Sequence, residues 1–174
     1  MSYQSGTPRP ATRPERTYAT APGTRRIRRG AVWLTAIAVG IAAVRYAALP
    51  DQIPVHFNLA GEPDGWGSRS SILVLAGTGL VLVVGTALLS RYPRAFNYPR
   101  EITEENAQRV YRAGEEMMVW VTAACAILFT GLIGVVAFGN VPAIAENGAL
   151  VVGIYGTVGV IGTTIAGVVR IMRA

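Results

Sequence analysis

Four apolar stretches constrain this chain more than any other feature: Ala31 to Leu49, Ser71 to Ser90, Met117 to Phe138 and Ala149 to Ile171. Each is close to the roughly 20 residues that a helix needs to cross about 30 Å of hydrocarbon. A soluble four-helix bundle would carry a polar face on every helix. The segment Ser71-Ile-Leu-Val-Leu-Ala-Gly-Thr-Gly-Leu-Val-Leu-Val-Val-Gly carries none. With 51% hydrophobic residues and a mean hydropathy of +0.38, the 174-residue chain holds more apolar surface than a small soluble core can bury. The expected class is therefore an all-α membrane protein with four transmembrane helices in contact with the lipid bilayer.

The charge is arranged to orient such a protein. All 16 basic residues are Arg and the net charge is +6. Seven Arg precede the first span, five lie between the second and third, and two sit at or beyond the end of the fourth. By the positive-inside rule both termini are expected in the cytoplasm, with the protein multi-pass in the inner or plasma membrane. The loops on the other side hold Arg69, and Arg45 lies inside the first span, about four residues from its outer end, a depth of roughly 6 Å that permits snorkelling. Charge of this kind beside apolar spans argues against nucleic-acid binding, which needs a basic face on a soluble module.

Residues 1–24 combine Pro8, Pro10, Pro14 and Pro22 with Ser, Thr, Gly and Arg. This composition predicts a disordered cytoplasmic tail ahead of a four-helix domain over 25–174. The first apolar run begins only after about thirty residues, which is not the pattern of a secretory signal. Cys125, the one cysteine, falls in an apolar run and reads as a small buried hydrophobe.

Between the second and third spans, Thr103 is the expected N-cap of a helix whose first turn holds Glu104 and Glu105 and which continues into the third span. The five Arg and five acidic residues of this loop predict a solvated face with internal ion pairs, with a docking surface for a cytoplasmic regulator as the alternative. In the fourth span Gly153, Gly156, Gly159 and Gly162 recur every three residues, a ridge expected to pack within the molecule or to support a homo-oligomer.

Candidate chemistry lies in the outer loop, Pro50 to Ser70, which holds the only histidine. Val55-His56-Phe57-Asn58-Leu59 alternates, so as an extended segment, with a β-hairpin as one form of the loop, it places His56 and Asn58 on one side and the apolar residues on the other. Glu62-Pro63-Asp64-Gly65 is a turn signal, and Trp66 suits an interfacial anchor. Asp51, His56, Glu62 and Asp64 are candidate ligands for a divalent metal, or a carboxylate and imidazole for acid–base work. Structural hydrogen bonding and recognition of a ligand by Arg45, Asp51, His56, Asn58, Glu62 and Asp64 are the other readings. Arg45 has three options: pairing with Asp51, pairing with Glu62, or snorkelling. The sequence holds no two-histidine zinc motif, no nucleophile in a recognisable setting and no phosphate loop, so neither an enzymatic role nor a cofactor is expected.

Leu49-Pro-Asp-Gln-Ile-Pro-Val-His-Phe-Asn-Leu-Ala-Gly-Glu-Pro-Asp-Gly resembles the signature of the membrane family called domain of unknown function 1648, at Leu49, Pro50, Asp51, Ile53, Pro54, His56, Phe57, Asn58, Gly61, Asp64 and Gly65. Asn97-Tyr-Pro and Ile102-Thr-Glu-Glu-Asn, leading to Arg109 and Tyr111, resemble its cytoplasmic connection, so the likeness covers about residues 31–138. That domain also forms the N-terminal part of longer bacterial immunity proteins of the SdpI type. The resemblance implies protection against, or signalling of, a secreted peptide outside, with a regulator inside. A metal-dependent protein and a transport or assembly component are the competing classes. Abundant Ala, Gly and Arg without Lys suggest a GC-rich, actinobacterial genome.

Overall fold

The computed structural model describes residues 13–174. Its elements are helix α1 (Pro22–Tyr46), strands β1 (Gln52–Phe57) and β2 (Pro63–Ser68), helix α2 (Ser71–Leu89), a 3-10 turn at Pro93–Ala95, helix α3 (Ala107–Ala137) and helix α4 (Pro142–Arg173). All four α-helices are long and apolar enough to cross a membrane. Helices α1, α2 and α3 pack against one another, while α4 lies along α3.

The packing is that of helices in lipid. The buried face of α1 is Ala31, Thr35, Ala38 and Ala42, a stripe of small residues at helical spacing, and that of α2 is Ile72, Ala76, Gly79, Val83 and Ala87. Small side chains let helix backbones approach closely where no hydrophobic drive separates helix from lipid. Large apolar residues such as Trp33, Val44, Val74, Ile127 and Tyr155 point away from the bundle instead. Along the spans, Thr35, Thr86, Thr122, Thr163 and Thr164 return their hydroxyls to carbonyls four residues back, which satisfies them without water.

Several expectations are corrected. Residues 13–21 do not form a loose tail but an extended strap tied to the α2–α3 connection, and Pro22, suited to a first helical position, starts α1; residues 1–12 lie outside the described residues. Thr103 does not begin α3, which starts at Ala107 after Asn106. Thr103 and Asn106 instead exchange backbone and side-chain hydrogen bonds (3.0 and 3.4 Å), a capping-box pairing that closes the preceding turn. As expected, α3 is continuous from the connection into the span.

The glycines of α4 do not form a ridge. A step of three residues turns a helix by about 300°, so the three steps from Gly153 to Gly162 carry the row about halfway around the cylinder. Gly156 faces Leu128 of α3, Gly159 lies near Ala124, and a side chain at Gly153 or Gly162 would meet open space. The close approach of α3 and α4 is made by Gly131 against Val152, Gly156 against Leu128 and Gly167 against Met117.

Candidate functional site

The loop after α1 is an antiparallel hairpin pairing Gln52 with Ser68, Ile53 with Gly67, Pro54 with Trp66, His56 with Gly65 and Phe57 with Pro63. Val55 and Asp64 are each an extra residue in this register, so both strands are bulged. The bulge breaks the expected alternation: Ile53 is buried, Val55 is exposed, and Asn58 and Leu59 lie beyond the strand, with Leu59 99% exposed. Gly65 is needed opposite His56, because a side chain there would come within 2.8 Å of the His56 Cβ.

The reversal of the chain occurs at Asn58–Glu62, not at Glu62–Gly65, because β2 already begins at Pro63. The Asn58 carboxamide oxygen accepts from the backbone N–H of Ala60 (2.9 Å) and Glu62 (3.0 Å), organising the turn as Asx residues do. Gly61 has φ of +83°, and its Cα lies over Leu150 of α4, so the turn rests on that helix.

The proposed site residues separate into pairs. His56 Nδ1 meets Asp64 Oδ1 at 2.5 Å, Asn58 Nδ2 donates to Glu62 Oε2 at 3.1 Å, and Asp51 lies 3.6 Å from Arg69. Among the described residues, no three His, Cys, Asp or Glu side chains converge as a metal site would require. Arg45 pairs with neither Asp51 nor Glu62. Its Nε donates to the Ala137 carbonyl at 3.1 Å and its guanidinium stands over the Phe138 ring. A carbonyl at the end of α3 has no partner within its helix, and the Arg supplies one.

Beneath the hairpin lies a cavity of about 380 Å³. Its floor is the ends of α1, α3 and α4, with Arg45, Ala137, Asn140 and Ala149, and its roof is Leu49, Pro50, Ile53, Pro54, Phe57 and Trp66. Arg45 is the one expected site residue on its wall. The apolar members of the loop motif, not its polar ones, shape the cavity, which their concentration of Pro and aromatic residues in a short loop foreshadows.

At the other end of the bundle, Glu115 is 1% exposed. Its carboxylate accepts from Arg28 (2.6 Å), Thr20 (2.7 Å), Tyr18 (2.9 Å) and Arg16 (3.1 Å). The expected solvated face therefore holds a buried ionic centre, while Glu116 pairs outward with Arg170 at 3.5 Å. The signal was helical spacing: Tyr111, Gly114, Glu115 and Thr122 share the buried side of α3. Burial and the hydrogen bond to Glu115 push the Tyr18 phenol well above its ordinary value, which keeps it a donor.

Residues 33–80 match the model of the family described as domain of unknown function, DUF1648. The similarity of 97–111 noted above lies beyond that match. An uncharacterized protein of Archaeoglobus fulgidus is 36% identical over 62 residues, 31% of this chain and 34% of the relative, so the chain spans about a third of the length of that protein. No solved structure matches the chain. The match runs from the middle of α1 through the hairpin to the middle of α2, and on this ground the chain carries a domain of the DUF1648 family.

Proposed function

We propose that this is a non-enzymatic plasma-membrane protein, with both termini cytoplasmic and the hairpin outside, that receives an apolar segment of a secreted peptide or other envelope ligand under the hairpin. The cavity between hairpin and helix ends carries the reading. It is walled by Ile53, Phe57 and Trp66 and has one cation, Arg45, whose terminal N–H groups have no hydrogen-bond partner among the described residues. Concave, mostly apolar space with a few placed polar groups is the usual form of a small binding site. An immunity role of the SdpI type is the specific version, in which occupancy of the cavity keeps the peptide from acting on the membrane or reports it to a cytoplasmic regulator.

The test compares a deletion strain complemented by the wild-type chain or by Ala149→Trp, which fills the cavity, across a panel of secreted antimicrobial peptides. Sensitisation to one peptide by the deletion, not rescued by Ala149→Trp present at wild-type level in the membrane, is expected. Identical sensitivity of all strains across the panel would overturn the reading.

A further inference from the structure

The strap and the segment after α2 tie themselves together with arginines. Arg13 donates to the carbonyls of Arg94 (2.9 Å) and Phe96 (2.6 Å), Arg94 donates back to the Arg13 carbonyl (2.6 Å), and Arg16 donates to the Arg91 carbonyl (3.3 Å). Folding thus gathers the guanidinium groups of Arg13, Arg16 and Arg94 beside Arg91, whose own side chain makes no hydrogen bond or ion pair among the described residues. Neutralisation is incomplete. Glu115 is shared with the buried Arg28, and Glu15, itself 85% exposed, reaches Arg94 at only 3.6 Å. Between them is an open groove of about 470 Å³ lined by Glu15, Arg16, Arg91, Tyr92 and Arg94.

The groove opens at the end of a membrane helix. Leu88 and Leu89 are exposed one turn before Arg91, and Tyr92 stands exposed where an aromatic belt is expected. A phosphate in the groove would therefore have apolar helix surface directly beside it. We propose that this groove binds the headgroup of an anionic phospholipid, with Arg91 and Arg94 on the phosphate and an acyl chain along Leu88 and Leu89. The adjoining apolar surface distinguishes a lipid from free phosphate, and the uncompensated positive charge distinguishes an anionic headgroup from a zwitterionic one. The site is independent of the cavity at the hairpin end.

The full chain in detergent is titrated with phosphatidylglycerol, phosphatidylcholine or inorganic phosphate, and bound lipid is counted by native mass spectrometry alongside thermal melting. Phosphatidylglycerol is expected to bind in preference to phosphatidylcholine and to raise the melting temperature, with inorganic phosphate doing neither. Arg91→Gln, which breaks no contact within the protein, should weaken binding by about fivefold, and Arg91→Gln/Arg94→Gln by more. Equal binding of the two lipids, or stabilisation by inorganic phosphate to the same extent, would overturn the proposal. So would an equal loss in Arg25→Gln/Arg26→Gln, since those exposed residues lie on α1 and would report diffuse attraction in place of a groove.

Discussion

Replacing Glu115 with Ala should unlatch the strap. Three of the four donors to its carboxylate, Arg16, Tyr18 and Thr20, come from residues 13–21, and the fourth, Arg28, is buried in α1. Hydrogen bonds to a charged group contribute about 1.5–3 kcal/mol each and are not additive, so a strap losing all three is weakened by at least about 2 kcal/mol. That multiplies the population of the open strap by about 30. The variant also leaves the Arg28 guanidinium buried without a counterion, a change that costs on the order of 3–5 kcal/mol. Trypsin cleavage after Arg16, followed by mass spectrometry under native conditions, reads the first effect, and thermal melting monitored by circular dichroism reads the second. The double variant Arg28→Met/Glu115→Leu should recover much of the melting temperature, because the buried Arg28 charge is removed together with its partner and Arg16 is partly exposed, yet stay sensitive to trypsin, because the strap still has no acceptor. Unchanged cleavage and melting in Glu115→Ala would refute the reasoning that this carboxylate holds the strap.

Four further outcomes follow from the same structure. Gly61→Ala places a side chain at φ +83° and against Leu150 at 2.8 Å, so it should destabilise the turn by about 1–2 kcal/mol from the backbone alone and speed hydrogen exchange over 58–62. His56→Ala removes a pair whose side chains are 71% and 43% exposed, so melting should hardly change, and any lost activity then reports recognition and not folding. Elemental analysis of protein purified without chelators should find no stoichiometric metal, since Asp51, His56, Glu62 and Asp64 are held in separate pairs; metal lost on His56→Ala would contradict this. Tyr18 and Tyr98 have phenols raised above their ordinary value by burial first, so the unfolded chain loses those protons more readily. The stability they contribute is complete below about pH 10 and falls as pH rises beyond it, which an alkaline series of melts would display.

The presence of four long apolar helices was legible because hydropathy is a local property: the run from Ser71 to Leu89 has no polar face in any fold. The continuation of α3 from the connection into the span was legible for the same reason, and the Pro and Gly residues of the loop announced a turn, although the expected position, Glu62–Gly65, is not where the chain reverses. Asn58 and Gly61 supply the side-chain acceptor and the positive φ that set the reversal, while Pro63 and Gly65 are absorbed by a bulged strand. The polar pairings were not legible at all. Asp51 takes Arg69 because the two strands are antiparallel, which leaves Arg45 to cap the end of α3.

Amino-acid order by itself determined that this chain makes four apolar helices, places its arginines mainly at one end of them, and gathers Pro, Gly and aromatic residues into one short loop. Those follow from side-chain transfer energies and backbone preferences that act within a few residues. Only the tertiary structure decided that Glu115 is a buried centre, that residues 13–21 are a strap and that the hairpin roofs a cavity. Each depends on groups far apart in the chain: Arg16 and Arg28 lie 99 and 87 residues from the carboxylate they share. Electrostatic and packing energies of that kind exist only once the helices have met, so no local pattern carries them.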